Sequence, residues 1–165
     1  MNNKNYQLTP NKFIKYLTVI HFALIFGLVL LSVVFYFTAE NWYLDSFETG
    51  NIFFYIVPII AISAIFIGDF IYKMLVKNLK TKTSLKDKLM GFQAATIIKL
   101  ATIEGPAMFA LIAGLISSNF FFFIIAFLLI LYMYSLKPTK LKVEEILDLS
   151  SDHKVQFNNG DEVIN

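Results

Sequence analysis

Four long and almost uncharged apolar runs divide this sequence, and they constrain its fold more than any other feature. They are "YLTVIHFALIFGLVLLSVVFYF" (Tyr16 to Phe37), "IFFYIVPIIAISAIFIGDFIY" (Ile52 to Tyr72), a run from about Met90 to Ile116, and "FFFFIIAFLLILYMYSL" (Phe120 to Leu136). At 1.5 Å per residue each is long enough, or nearly so, to cross ~30 Å of hydrocarbon. With 57% hydrophobic and 16% charged residues in a chain of 165, a water-soluble domain could not hide this much apolar surface. The expectation is an all-α membrane protein. Residues 1–137 form its four-helix transmembrane domain, and residues 138–165 a short cytoplasmic amphipathic segment and a flexible tail.

The loops set the orientation. Lys4, Lys12 and Lys15 precede the first span, Lys73, Lys77, Lys80, Lys82, Lys86 and Lys88 lie between the second and third, and Lys137, Lys140 and Lys142 follow the fourth. The first outer loop, "TAENWYLDSFETGN", holds Glu40, Asp45 and Glu48 and no base, and the second, "SSN", is uncharged. Positive charge stays inside, which places both termini in the cytoplasm and Trp42 outside. The apolar core of the first span is too long for a cleaved signal peptide, and "FTAE" puts Tyr36 and Phe37 where small residues are needed. All fourteen basic residues are Lys, which with many Asn, Ile, Phe and Tyr suggests an AT-rich bacterial genome and hence a bacterial inner membrane.

Thr9-Pro10 reads as a cap and first helical position, and Ser84 to Asp87 as a capping box that starts the third helix before its apolar run. Ser118 or Asn119 can cap the fourth helix after a very short turn, making helices three and four a tight antiparallel hairpin. After Pro138, "TKLKVEEILDLS" suits a short amphipathic helix. "KVQFNNGDEVIN" is expected to be a disordered tail, with two short strands around Asn-Gly as the alternative.

Small residues four apart let helices approach closely. Such steps occur at Ala23/Gly27, Ala64/Gly68, Ala101/Gly105 and Ala110/Gly114, and the fourth helix has none. Helices one to three are therefore expected to form the close unit, with the fourth at its periphery.

Four ionisable residues fall within the spans: His21, Asp69, Lys99 and Glu104. His21 is expected to donate to a carbonyl or Ser of a neighbouring helix, with a proton relay as the alternative. Asp69 and Lys99 approach from the same membrane side and can pair between helices two and three. Glu104 lies near the middle of its span and about 140° around the helix from Lys99. Gln93, Thr102 and Pro106 complete its expected polar site, since Pro106 removes a backbone donor and frees the Thr102 carbonyl. In hydrocarbon Glu104 is expected to be neutral, buried between helices and hydrogen-bonded to a neighbouring helix or to that loosened backbone.

The segment "LATIEGPAMFALIAGLISSNFFF" resembles the carboxylate-bearing helix of rotary ATP synthase proteolipids over about one helix, which implies a proton- or sodium-binding role for Glu104. In the preceding helix Ala61, Ala64 and Gly68 stand where the proteolipids carry a glycine ladder. Taken whole, the chain resembles a group of uncharacterised small four-helix membrane proteins of Bacteroidota. The likeness rests on Glu104 to Ala107 and on Pro138-Thr139, and it implies no known activity.

The remaining chemistry is spare. Without Cys, and with His21 and His153 as the only histidines, no ordinary metal site is expected. Phosphate-loop and nucleophile motifs are absent, and a net charge of +2 does not suggest nucleic acid. No cofactor and no enzymatic activity are expected. The partners expected are the bilayer, anionic lipid headgroups at the Lys73–Lys88 loop, and a second copy or another membrane protein. Two functions remain: a structural or accessory membrane protein, or a small proton- or sodium-coupled channel, transporter or proteolipid-like subunit using Glu104. The orientation is open to a direct check in this Cys-free chain. A membrane-impermeant maleimide on intact cells is expected to label Asp45→Cys and not Lys82→Cys; the reverse pattern would invert the topology.

Overall fold

The computed structural model describes residues 9–39, 41–45, 50–160 and 163–164. Among these described residues six helices follow one another: α1 (Pro10–Thr38), α2 (Phe53–Lys80), α3 (Leu85–Ser117), α4 (Phe120–Ser135), α5 (Lys140–Leu147) and α6 (Ser151–Asn158). Side-chain caps start most of them. Thr9 accepts from the Lys12 N–H at 3.4 Å ahead of Pro10, and Ser84 from the Asp87 N–H at 3.5 Å. Helices α2 and α3 overrun their apolar runs into the Lys-rich segment, because Lys and Leu are good helix formers in water.

Helices α1, α2 and α3 are each long and apolar enough to cross a membrane. The 16-residue α4 meets that condition only together with α5, to which it is bent by 79°. At 1.5 Å per residue α4 alone measures roughly 24 Å.

The hub is α3, which packs against α1, α2 and α4. Its inward face is built largely of small residues, with Ala107, Ala110 and Ala113 fully buried beside Ile103 and Leu111. Against that face lie Ile25 and Leu28 of α1, Val57 and Ala61 of α2, and Phe122, Ala126 and Met133 of α4. The expected peripheral place for the fourth helix is therefore corrected: Phe122, Ala126 and Met133 are each 0% exposed. Large rings on α4 fill the volume that the alanines of α3 leave, and this complementarity of size seats the helix without a small-residue step of its own.

The four small-residue steps divide. At Ala64/Gly68 and Ala110/Gly114 the stripe faces a neighbour. A Cβ on Gly68 would lie 3.5 Å from Thr102 Cγ2, and one on Gly114 would come within 2.7 Å of the Phe123 ring. Ala23/Gly27 and Ala101/Gly105 turn outward, and a Cβ on Gly27 or Gly105 would meet nothing within 4 Å. In α1 the inward face belongs to Phe13, Leu17, His21, Ile25 and Leu28, which leaves the Ala23/Gly27 stripe on the far side.

One end of the bundle is closed by aromatic rings and one amide. The Trp42 indole donates to the Tyr36 carbonyl at 2.9 Å and stacks on the Tyr36 ring. Asn119, fully buried, accepts from the Phe121 N–H at 3.0 Å to start α4 and donates to the Asp45 carbonyl at 3.0 Å. Ser118, at φ 52°, supplies the left-handed residue that turns α3 into α4 within two residues.

At the Lys-rich end a second core joins both ends of the chain. Phe13 and Leu17 meet Leu85, Leu89 and Phe92, and these are covered by Val143, Leu147, Leu149, Phe157 and Ile164. The Asn11 N–H donates to the Gly160 carbonyl at 3.1 Å. The disordered tail expected for residues 154–165, like the strand pair weighed against it, is thus corrected where it can be described. Ser150 accepts from the His153 N–H at 3.4 Å and starts α6, whose Phe157 is fully buried. Asp161, Glu162 and Asn165 lie outside the described residues.

Gly68→Leu and Gly114→Leu are each expected to lower stability by roughly 1–3 kcal/mol through overpacking. Gly27→Leu should be tolerated within about 0.5 kcal/mol. Thermal unfolding of the three purified variants measures the difference, and equal losses at all three would contradict this packing.

Candidate functional site

Of the four ionisable residues within the apolar runs, Asp69 and Lys99 meet on one flank of α3, Glu104 lies on another, and His21 stands apart on α1. The pair begins with the close approach of α2 and α3 at Gly68 and Thr102, which sets Asp69 beside Lys99. Lys99 Nζ lies 2.6 Å from Asp69 Oδ1, with side-chain exposures of 14% and 36%. Lys99 Nζ also sits over the Tyr72 ring, 4.8 Å from its centroid, and the Tyr132 hydroxyl donates to Asp69 Oδ1 at 3.3 Å. One ion pair therefore ties α2 to α3, and the Tyr132 bond extends the tie to α4. Such an arrangement fixes helix register, because each charge is satisfied from more than one side.

Tyr72 and Tyr132 were not legible as members of this cluster. The available signal was depth alone: Tyr132 sits near the same end of its helix as Asp69 does of α2.

Glu104 lies half-buried on the edge of α3, beside outward-facing Ala101 and Gly105. Among the described residues it makes no hydrogen bond or ion pair, so the bond expected for it is not formed with any of them. Thr102 donates its hydroxyl to the Ile98 carbonyl at 2.8 Å, one turn back, and does not reach Glu104. Pro106 continues the helix without an N–H for the Thr102 carbonyl. Gln93 shares the flank of Glu104 but stands three turns away, about 16 Å along the axis. The four residues expected as one polar site are thus a carboxylate with two neighbours and a distant amide.

His21 is fully buried on the inward face of α1, and neither ring nitrogen has a hydrogen-bond partner among the described residues. Its ring meets Phe22 edge-on at 5.5 Å. The expected bond to a neighbouring carbonyl or Ser is not made. Among the described residues no three of His, Asp and Glu gather as metal ligands would.

Lys99→Leu is expected to cost roughly 1–3 kcal/mol, because Asp69 then keeps only the Tyr132 bond in a poorly solvated place. Asp69→Leu combined with Lys99→Leu should cost less than Lys99→Leu alone. Unfolding midpoints of the single and double variants read this coupling, and strictly additive losses would show that the pair is not coupled. Compared with protein-family profiles, curated proteins and solved structures, the chain matches none.

Proposed function

We propose that this chain is a non-enzymatic, multi-pass component of a bacterial inner membrane, with four spans and both termini cytoplasmic. Helices α3 and α4 cross as an antiparallel hairpin, and α4 reaches the Lys-rich side through the residues that lead to α5. Its work is structural or accessory: it packs with a second copy or with another membrane protein through a helix face.

The observation that carries this reading is Glu104 with its surroundings. A carboxylate in hydrocarbon costs several kcal/mol unless it is neutralised or given a partner. Here no described residue of the chain supplies that partner, while Ala101 and Gly105 leave open space beside it. A helix laid over those two small residues could approach closely enough to donate to Glu104. Asp69 and Lys99 give the contrast, since their needs are met inside the chain.

The test uses the absence of native Cys. Ala101→Cys in native membranes, treated with a bifunctional maleimide, is expected to give a cross-linked dimer or a defined adduct with one other protein. Adding Glu104→Gln should preserve the cross-link, because the amide still forms hydrogen bonds. Adding Glu104→Leu should lower its yield at least about fivefold, the factor that corresponds to losing one hydrogen bond of about 1 kcal/mol. No cross-link, together with carbodiimide modification of Glu104 that sodium ions prevent, would overturn this reading in favour of a proton- or sodium-coupled protein.

A further inference from the structure

One face of α2 changes character along its length. Tyr55, Ile59, Ile62, Phe66 and Phe70 form an outward stripe, each between 57% and 71% exposed. The same stripe then continues as Lys73, Lys77 and Lys80, since steps of three and four residues stay on one side of a helix. Counting ~30 Å of hydrocarbon from the start of α2 at Phe53 uses roughly twenty residues, which ends the apolar layer at about Tyr72. The three lysines therefore begin where headgroups begin.

They also line a recess. A pocket of about 450 Å³ opens between the end of α2, Lys99 of α3 and Ile146 of α5, with Lys73, Lys77 and Lys80 on its α2 wall. Its one carboxylate, Asp69, is already held by Lys99 and Tyr132. Lys73, Lys77 and Lys80 make no ion pair or hydrogen bond among the described residues. The pocket thus presents free ammonium groups above an uninterrupted apolar track.

We propose that this pocket binds one anionic phospholipid, its headgroup phosphate held by Lys73, Lys77 and Lys80 and its acyl chains lying along Phe70, Phe66 and Ile62. The chemistry of the lysines would suit any phosphate. The apolar stripe leading directly to them selects a lipid over a soluble ion, because a free phosphate has no use for that track. Tyr72 and Lys99 form the back wall, and Asp69 holds Lys99 in place. The proposal rests on the membrane placement of α2 and is independent of what Glu104 does.

The test compares the purified protein in vesicles of phosphatidylcholine alone with vesicles containing phosphatidylglycerol. Flotation with phosphatidylcholine vesicles checks insertion by itself. Native mass spectrometry and thermal unfolding then read lipid retention. Wild type is expected to retain about one phosphatidylglycerol per chain with at least about tenfold preference over phosphatidylcholine, given that a lysine near the surface is worth about fivefold. Lys73→Gln, Lys77→Gln and Lys80→Gln together should bring the preference below about twofold. Lys12→Gln, Lys15→Gln and Lys154→Gln remove equal charge elsewhere on the same side, outside the Lys73–Lys88 segment, and should leave it nearly unchanged. If the pocket triple fails to accumulate, Lys77→Gln alone is expected to lower the preference two- to fivefold, at about the worth of one lysine. Equal losses in both triples would overturn the site, since the effect would then be surface charge in general. Displacement of the lipid by millimolar inorganic phosphate would overturn the assignment to a lipid.

Discussion

Close approach to α3 is the constraint on which the rest of this fold depends. For helices long and apolar enough to span a membrane, lipid would offer no hydrophobic drive between them, and dispersion along tightly packed seams would have to hold them together. The α3 helix meets that demand by presenting Ala107, Ala110, Ala113 and Gly114 to its neighbours. Where α4 brings phenylalanine rings, α3 brings absence of bulk, and the seam fills. Where α2 brings Gly68, α3 brings Thr102, and the two backbones draw together. The Asp69–Lys99 pair is a dependent of that approach: it closes only because Gly68, the residue before Asp69, lets α2 lie against α3.

The places of the first three helices were legible from hydropathy, though not the Lys-rich ends of α2 and α3, and several helix starts were legible from capping residues. Thr9, Ser84 and Asn119 act as their chemistry suggests. The Asp69–Lys99 pairing was legible too, because both residues enter from the same end of adjacent helices. What spacing could not convey was azimuth. Ala23/Gly27 and Ala64/Gly68 have the same form, yet one faces out and the other packs, since bulky residues elsewhere on each helix decide which side turns inward. The place of α4 was misread for a related reason: a helix without small residues can still seat deeply when its partner supplies them. For α6 the signal was present in Ser150 and in Asp152 of its first turn, but the polar, terminal character of the segment drew the reading toward disorder.

The two ionisable residues of α3 show how strongly position around a helix governs their fate. Lys99 and Glu104 are five residues apart, which turns them to different flanks. On one flank α2 and α4 supply a carboxylate, a ring and a hydroxyl. On the other, Ala101 and Gly105 leave the helix bare and the carboxylate beside them unanswered. A bundle of this size has too few helices to enclose both flanks of its central member, so one polar residue is left without a partner among the described residues.

The core at the Lys-rich end has a bearing on the order of assembly. Its pieces are Phe13 and Leu17 from the first helix, Leu85 and Leu89 from the start of the third, and Phe157 from the last. During synthesis the earliest of these leaves the ribosome long before the latest, with every candidate span emerging in between. The apolar ends of α1 and α3 therefore stay uncovered until α5 and α6 arrive. In this protein α5 and α6 act as a clasp over α1 and α3, and that clasp can close only after every candidate span has been made.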